Sequence, residues 1–301
     1  ARNLGDHYRR RGHAEWHLGN DPTTYFEEAI TIYTNALNTA GTDHTAWPDQ
    51  GTVADMYRQP GQLYHELFNY YRGRDSATAD SYSTEALNWL EDAVDVLTTI
   101  GDDIEGGEHA ARAITALGRH YMDLGYYIWD QSDTSYTAED RTQQIGHFNS
   151  AIGQFARLIT DFDNGLYPGT QSDEITDAYT DRSRALRNIF EIQWDQYERG
   201  ERSSKPSATT LRDSYDSALE ALAYDADADD SAWALVEAGR TLETAYRWVR
   251  HIQHLYENDP DYSQYFADIV LFVTTVQSID LPADPVHVEM IESSVTEIHL
   301  Y

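Results

Sequence analysis

The chain has no cysteine, a single lysine (Lys205), three methionines and no long apolar run, and each shortage removes a class of function. Without cysteine there are no disulfides, no thiol nucleophile and no thiolate metal site, and the redox compartment stays open. The longest purely apolar run, Ile269 to Val273, falls far short of the roughly 20 residues that cross a bilayer as a helix. No signal peptide is visible, and the chain begins at Ala1 instead of Met, which is compatible with removal of an upstream segment. There is also no phosphate loop, no dinucleotide glycine motif, no His-Glu-x-x-His pair and no nucleophile elbow. Carboxylates are so numerous that two of them close in sequence say nothing about acid and base roles.

What is present is negative charge. The formal net charge is −31, with 32 Asp and 20 Glu against 20 Arg and the one lysine. A field of that size repels itself at low salt and keeps a surface hydrated at high salt. Near-absence of lysine with arginine retained reads as the surface of a halophile, archaeal in type; location stays open between the cytoplasm and the extracellular or cell-surface side. Nucleic acid is a poor partner for it, since binding needs phosphates met by clustered cations. Direct membrane insertion is disfavoured as well.

Helical periodicity runs through the chain, with breakers at regular intervals. Helices are expected from about Asn3 to Leu18, Pro22 to Ala40, Thr52 to Tyr71, Thr78 to Ile100, Gly107 to Trp129, Thr137 to Asp161, Asp173 to Tyr197, Pro206 to Tyr224, Ser231 to Tyr256 and Pro260 to Ser278. Pro60-Gly61 predicts a kink or break in the third. Asp21-Pro22 and Thr137-x-x-Asp140 read as helix starts, and Gly19, Gly41 and Gly101 as stops. After Pro285 the alternation Val286, Val288, Met290 is that of a short strand, with Val295 to Tyr301 as its partner in a ribbon; an irregular tail or a final helix is the alternative.

Two stretches repeat. Leu4-Gly5-x-His7-Tyr8-x-x-x-Gly12 with Trp16 returns as Leu117-Gly118-x-His120-Tyr121-x-x-x-Gly125 with Trp129. Phe26-x-x-Ala29-Ile30-x-x-Tyr33-x-x-x-Leu37 returns as Phe148-x-x-Ala151-Ile152-x-x-Phe155-x-x-x-Ile159. Tyr57 and Leu67-Phe68 fall on Tyr179 and Ile189-Phe190 at the same offset of 122 that links Phe26 to Phe148. A duplicated four-helix unit within a row of five α-hairpins accounts for both matches.

These stretches resemble tetratricopeptide repeats, in which the first helix carries Leu-Gly-x-x-Tyr-x-x-x-Gly and the second Ala-x-x-x-Phe-x-x-Ala. Small residues let the two helices of a hairpin approach, while Leu and the aromatics fill the space between hairpins. Each hairpin here exceeds the family's 34 residues and lacks its closing proline. The resemblance implies an all-α, right-handed stack of about five hairpins, at about 1–41, 51–101, 106–161, 172–224 and 230–279, forming one repeat domain over 1–281 with a tail at 282–301. It also implies that first helices line a groove, whose positions fall on Arg2, Asp6, Arg9 and Arg10, and on Arg112, Thr115, Arg119, Met122 and Asp123. Tyr126 adds an aromatic to the same layer. Independently, 15 of the 20 arginines lie in or just past odd-numbered helices. Arginine grips carboxylates bidentately at short range, where salt screens least. The alternative is that these arginines only neutralise local carboxylates such as Asp6 or Asp123.

The expectation is therefore a non-enzymatic scaffold that takes an extended peptide or chain terminus, with no catalytic residue, metal or cofactor. A second reading is a cell-surface, glycan-binding or assembly subunit that forms homo-oligomers or filaments through the tail. Metal chemistry would fall to His13 with His17, or to His251, His254 and Glu257, each lacking a third ligand set. Asp225-x-Asp227-x-Asp229-Asp230 lacks the glycine and closing glutamate of a calcium loop.

Overall fold

The structure is a computed structural model that describes residues 1–41, 50–100, 104–131, 136–167, 170, 172–224 and 228–253. Nine α-helices make up the described residues, with no strand among them. They are α1 Arg2–His17, α2 Thr23–Ala40, α3 Gln50–Tyr71, α4 Ser76–Ile100, α5 Ile104–Gln131, α6 Ala138–Asp163, α7 Ser172–Glu198, α8 Ala208–Tyr224 and α9 Ala228–Gln253. The expected tenth helix and the tail ribbon lie outside the described residues.

The ends of these helices follow from local chemistry. Asp21 Oδ1 accepts from the Thr23 amide at 2.9 Å and so caps α2 one residue after Pro22. Ahead of α6, the Thr137 amide donates to Asp140 Oδ2 at 2.8 Å while the Asp140 amide donates to Thr137 Oγ1 at 3.2 Å, a reciprocal capping box. After α1, the Gly19 amide returns to the Trp16 carbonyl and the Asn20 amide to the Glu15 carbonyl, with Gly19 at φ +79°. The same pair of bonds recurs at Gly165 and Gly200. The expected break at Pro60-Gly61 does not occur: α3 is continuous through both residues. Proline costs it one backbone hydrogen bond, while Gly61 lets α4 close in, since a Cβ there would stand 2.8 Å from Leu90 Cγ.

Two compact units divide the chain. The first is Ala1–Asp133 with Thr160–Gln171, and the second Thr134–Ile159 with Ser172–Tyr301. In the first, each helix from α1 to α5 packs on its chain neighbour, and α3 also touches α1 and α5. In the second, α8 packs on α7 and α9, and α7 touches α9. Both units thus bring odd helices together in a layer, as stacked hairpins do.

The apolar stripe of α2, Phe26, Ala29, Ile30, Tyr33 and Leu37, is buried against Val53, Met56, Leu63 and Leu67 of α3. Burying a large apolar side chain stabilises by about 1.5–3 kcal/mol. The echo holds at the level of burial. Phe148, Ala151, Phe155 and Ile159 are buried in α6 as their counterparts are in α2, and Ile189-Phe190 is buried as Leu67-Phe68 is. Gly5 and Gly12 are buried, and so are Gly118 and Gly125.

The first echoed helices differ on one face. Leu117 and His120 of α5 are buried, whereas Leu4 and His7 of α1 are exposed. α5 meets α3 and α4 on that face, with Leu124 and Tyr127 in an apolar cluster with Phe68 and Ala79. The matching positions of α1 are Arg11 and Ala14. Arg11 pairs with Glu15 at 2.5 Å and covers the Tyr25 ring, so the corresponding face of α1 is polar.

Candidate binding surface on the odd helices of the first unit

A polar stripe runs along α3 at helical spacing, Asp55, Arg58, Gln59, Gln62, His65, Glu66 and Asn69, and continues into Arg72 just past its end. It meets α1 on one side and α5 on the other. Here most of the sequence-derived site residues find their places.

At its N-terminal end the stripe centres on Asp55, which is 6% exposed. Arg58 Nη2 donates to Asp55 Oδ1 at 2.8 Å and Gln59 Nε2 to the same oxygen at 3.1 Å. From α1, Arg2 Nη2 reaches Asp55 Oδ2 at 3.0 Å, and from α5 His109 Nδ1 stands 4.0 Å from Oδ1. Burial would raise the Asp55 carboxyl, but the charge of Arg58, the Gln59 hydrogen bond and the charges of His109 and Arg2 hold it below its ordinary range. Asp6 accepts from Tyr33 Oη at 2.7 Å and lies 3.7 Å from Arg9 and 4.0 Å from Arg2. Arg112 pairs with Glu108 at 2.5 Å, and both Arg9 and Arg112 act electrostatically on the buried Arg58.

Arg2, Asp6, Arg9 and Arg112 therefore converge, around a centre that sequence reading missed. Asp55, Arg58, Gln59 and His109 were legible only as polar residues at helical period in α3 and α5. The signal that could have found them is that stripe, because polar residues at helical period mark a face that meets water or other polar groups and not the apolar core. Several shielded polar atoms in the layer have no hydrogen-bond partner: Arg9 Nε, Arg58 Nε, Gln59 Oε1, His109 Nδ1 and Thr115 Oγ1. Such atoms cost about 1–3 kcal/mol each unless a polar group meets them.

Asp123 belongs to a second cluster, about three turns along α3. It accepts from His65 Nε2 at 2.9 Å, from Asn69 Nδ2 at 3.1 Å and from Arg72 Nη1 at 3.4 Å. Met122 is buried and Tyr126 half-buried, while Arg10 and Arg119 are exposed. Between the two clusters, His13 Nδ1 lies 3.2 Å from Glu66 Oε2. Burial pushes the Glu66 carboxyl up to about 7, against the opposing charge of Arg9.

The second unit has a carboxylate of its own at the centre of its odd helices. Glu237 of α9 has no solvent exposure and is held by Arg184 Nε at 3.0 Å and Arg187 Nη2 at 3.2 Å from α7, and by Arg240 Nη1 at 3.1 Å. Elsewhere in that unit Arg141, 1% exposed, is gripped by Asp195 at 2.8 Å and Glu201 at 3.2 Å and lies under the Tyr136 ring. Among the described residues no three potential ligands come together as a metal site. His13 packs on Phe26, and His17 is exposed. His254 and Glu257 lie outside the described residues. No described helix is long and apolar enough to cross a membrane.

No protein-family model matches the sequence, and no curated protein does. Among solved structures, a chain from a computational design of self-assembling cyclic protein homooligomers aligns over 83% of this chain and 93% of its own, at 12% identity and a TM-score of 0.38. A likeness that loose carries no argument about this molecule.

Proposed function

We propose that the chain is a non-enzymatic, tetratricopeptide-like interaction scaffold from a high-salt cell, and that the odd-helix layer of its first unit takes an extended peptide or chain terminus. The observation that carries this reading is the pairing of Arg2 from α1 and Arg58 from α3 on the buried Asp55, with Arg9 on Asp6 and Arg112 on Glu108 close enough to act on Arg58, in a protein whose formal net charge is −31. Arg10 and Arg119 add exposed cations on α1 and α5. Most of these guanidinium groups also hold a carboxylate of the protein, so the surface is prearranged and not a bare cationic patch. An incoming carboxylate would compete for their remaining donors. Contacts of this kind act within a few ångströms, a range comparable to the Debye length even at 1 M salt, about 3 Å.

The test is capture from a native high-salt lysate by the full chain and by the triple variant Arg9→Glu, Arg10→Glu, Arg112→Glu, with helicity followed in parallel. Loss of a specific band with helicity retained supports the reading. Undiminished capture of the same partner by a folded triple variant overturns it. The rival reading, assembly through the tail, rests on residues 282–301, and their removal with no change in oligomeric state would exclude it.

A further inference from the structure

Four side chains from three helices form one continuous file inside the first unit. Ser83 Oγ of α4 lies 3.3 Å from His120 Nε2 of α5. His120 Nδ1 lies 3.0 Å from His65 Nδ1 of α3, and His65 Nε2 lies 2.9 Å from Asp123 Oδ2 of α5. His120 has no solvent exposure, and its ring sits edge-on to Phe68 with centroids 5.4 Å apart.

The protons of the file follow from its acidic end. Asp123 is a carboxylate, since hydrogen bonds from His65 and Asn69 and the charge of Arg72 outweigh a burial that would raise it. His65 must then donate from Nε2, which leaves its Nδ1 to accept. His120 must donate from Nδ1, which leaves its Nε2 to accept from the Ser83 hydroxyl. Every donor points toward Asp123.

We propose that this file is a proton-operated latch that fastens α5 to α3 and α4: it stays closed with both imidazoles neutral or with one proton added, and it opens when a second proton enters. A single added proton fits the file, because a charge on His65 would stand 2.9 Å from the Asp123 carboxylate. His120 then reverses its tautomer, accepting at Nδ1 and donating from Nε2 to Ser83 Oγ. The file has turned round without breaking. A second proton would set one Nδ1–H against another across 3.0 Å and place a charge on a ring without solvent, which only separation of α5 relieves.

The other titratable groups facing the file leave this arithmetic intact. Tyr121 donates to Glu91 and Tyr127 sits beside Asp80; burial and these carboxylates hold both phenols up to about 12, so they remain neutral throughout. Arg72 meets Asp123 from α3. Glu66, next to His65 in sequence, faces Arg9 and His13 of α1. The latch does not depend on the binding reading, although α5 also carries His109 and Arg112.

The experiment uses the full chain in high salt with histidine ring nitrogens labelled, followed by long-range proton–nitrogen correlation from pH 8 to pH 4.5. Hydrogen exchange of residues 117–127 is measured in parallel, with residues 26–37 as the internal control. At pH 8 the expected pattern is a proton on Nδ1 of His120 and on Nε2 of His65. The first proton uptake should move the His120 proton to Nε2, and the second should cost 117–127 at least a tenfold loss of protection while 26–37 hold. His120→Phe, a ring that suits the aromatic neighbours, should abolish that acid step. A His120 proton on Nε2 at pH 8, two rings that titrate with no tautomer reversal, or an acid step that survives in His120→Phe would each overturn the latch. Should His120→Phe not fold, the wild-type tautomers decide alone.

Discussion

The Tyr33 ring occupies the space that a side chain at position 5 would need: a Cβ on Gly5 would stand 2.5 Å from Tyr33 Cε1. The same relationship joins Gly12 to the Phe26 ring. Neither ring can retreat, because both are fully buried. Gly5→Ala and Gly12→Ala should each destabilise the first unit by about 1–3 kcal/mol, the usual cost of overpacking. Gly153, in α6 with open space around its Cβ position, is the contrast. Gly153→Ala should gain up to about 1 kcal/mol from helix propensity alone. Denaturant midpoints of the three variants check the ordering, and a neutral Gly12→Ala would deny the close approach of α1 and α2.

Glu66 works against stability at neutral pH. Its folded carboxyl is raised from 4.5 to about 7 by burial, so its favourable contribution is complete below pH 4.5 and is lost as pH climbs through 7. Burial, with the charges of Arg9 and His17, lowers His13, which is therefore neutral at pH 8 and does not compensate. Glu66→Gln should raise the stability of the first unit by on the order of 2 kcal/mol at pH 8 and by nothing at pH 4.5. Thermal melts at the two pH values read this as a gain of several degrees at one and none at the other.

Glu237 is the reverse case. Burial would raise it, but Arg187, Arg184 and Arg240 hold it below the ordinary carboxylate range. Its contribution is present above its unfolded value and is lost as pH falls through the lower folded one. Glu237→Ala leaves three guanidinium groups around a void and should cost about 3–5 kcal/mol. Hydrogen exchange should show the loss in α7 and α9 while Phe26–Leu37 keep their protection.

Self-repulsion of a formal charge of −31 should make stability rise with salt. Between 0.05 and 0.5 M KCl, where the Debye length shrinks from more than 10 Å to a few ångströms, the midpoint of thermal unfolding should climb steadily. A flat dependence would remove the case for a high-salt surface.

Much of the architecture was legible in the chain. Asp21, Thr137 with Asp140, and Gly19 set helix ends through bonds spanning two to five residues, and such bonds depend on sequence alone. The echo from Phe26–Leu37 to Phe148–Ile159 foretold which positions are buried, since an apolar stripe at helical period has one face to hide. Pro60 did not break α3, because the buried apolar residues on both sides of it, Val53 and Met56 before and Leu63 and Leu67 after, hold the helix in place despite the lost backbone bond. Of the arginines singled out in the sequence, Arg2 meets Asp55, Arg9 meets Asp6 and Arg112 meets Glu108, whereas Asp55, the carboxylate that Arg2 and Arg58 share, was not singled out.

Sequence by itself determined the helices, their ends, their apolar stripes and the overwhelming negative charge, all of which follow from spacing and residue type. Tertiary structure alone decided what each polar residue meets. His7 and His120 occupy one motif, yet His7 is exposed and His120 lies buried against Ser83 and His65. The difference is the hairpin that precedes α5, and a side chain's environment depends on neighbours brought up from elsewhere in the chain, which no local pattern records.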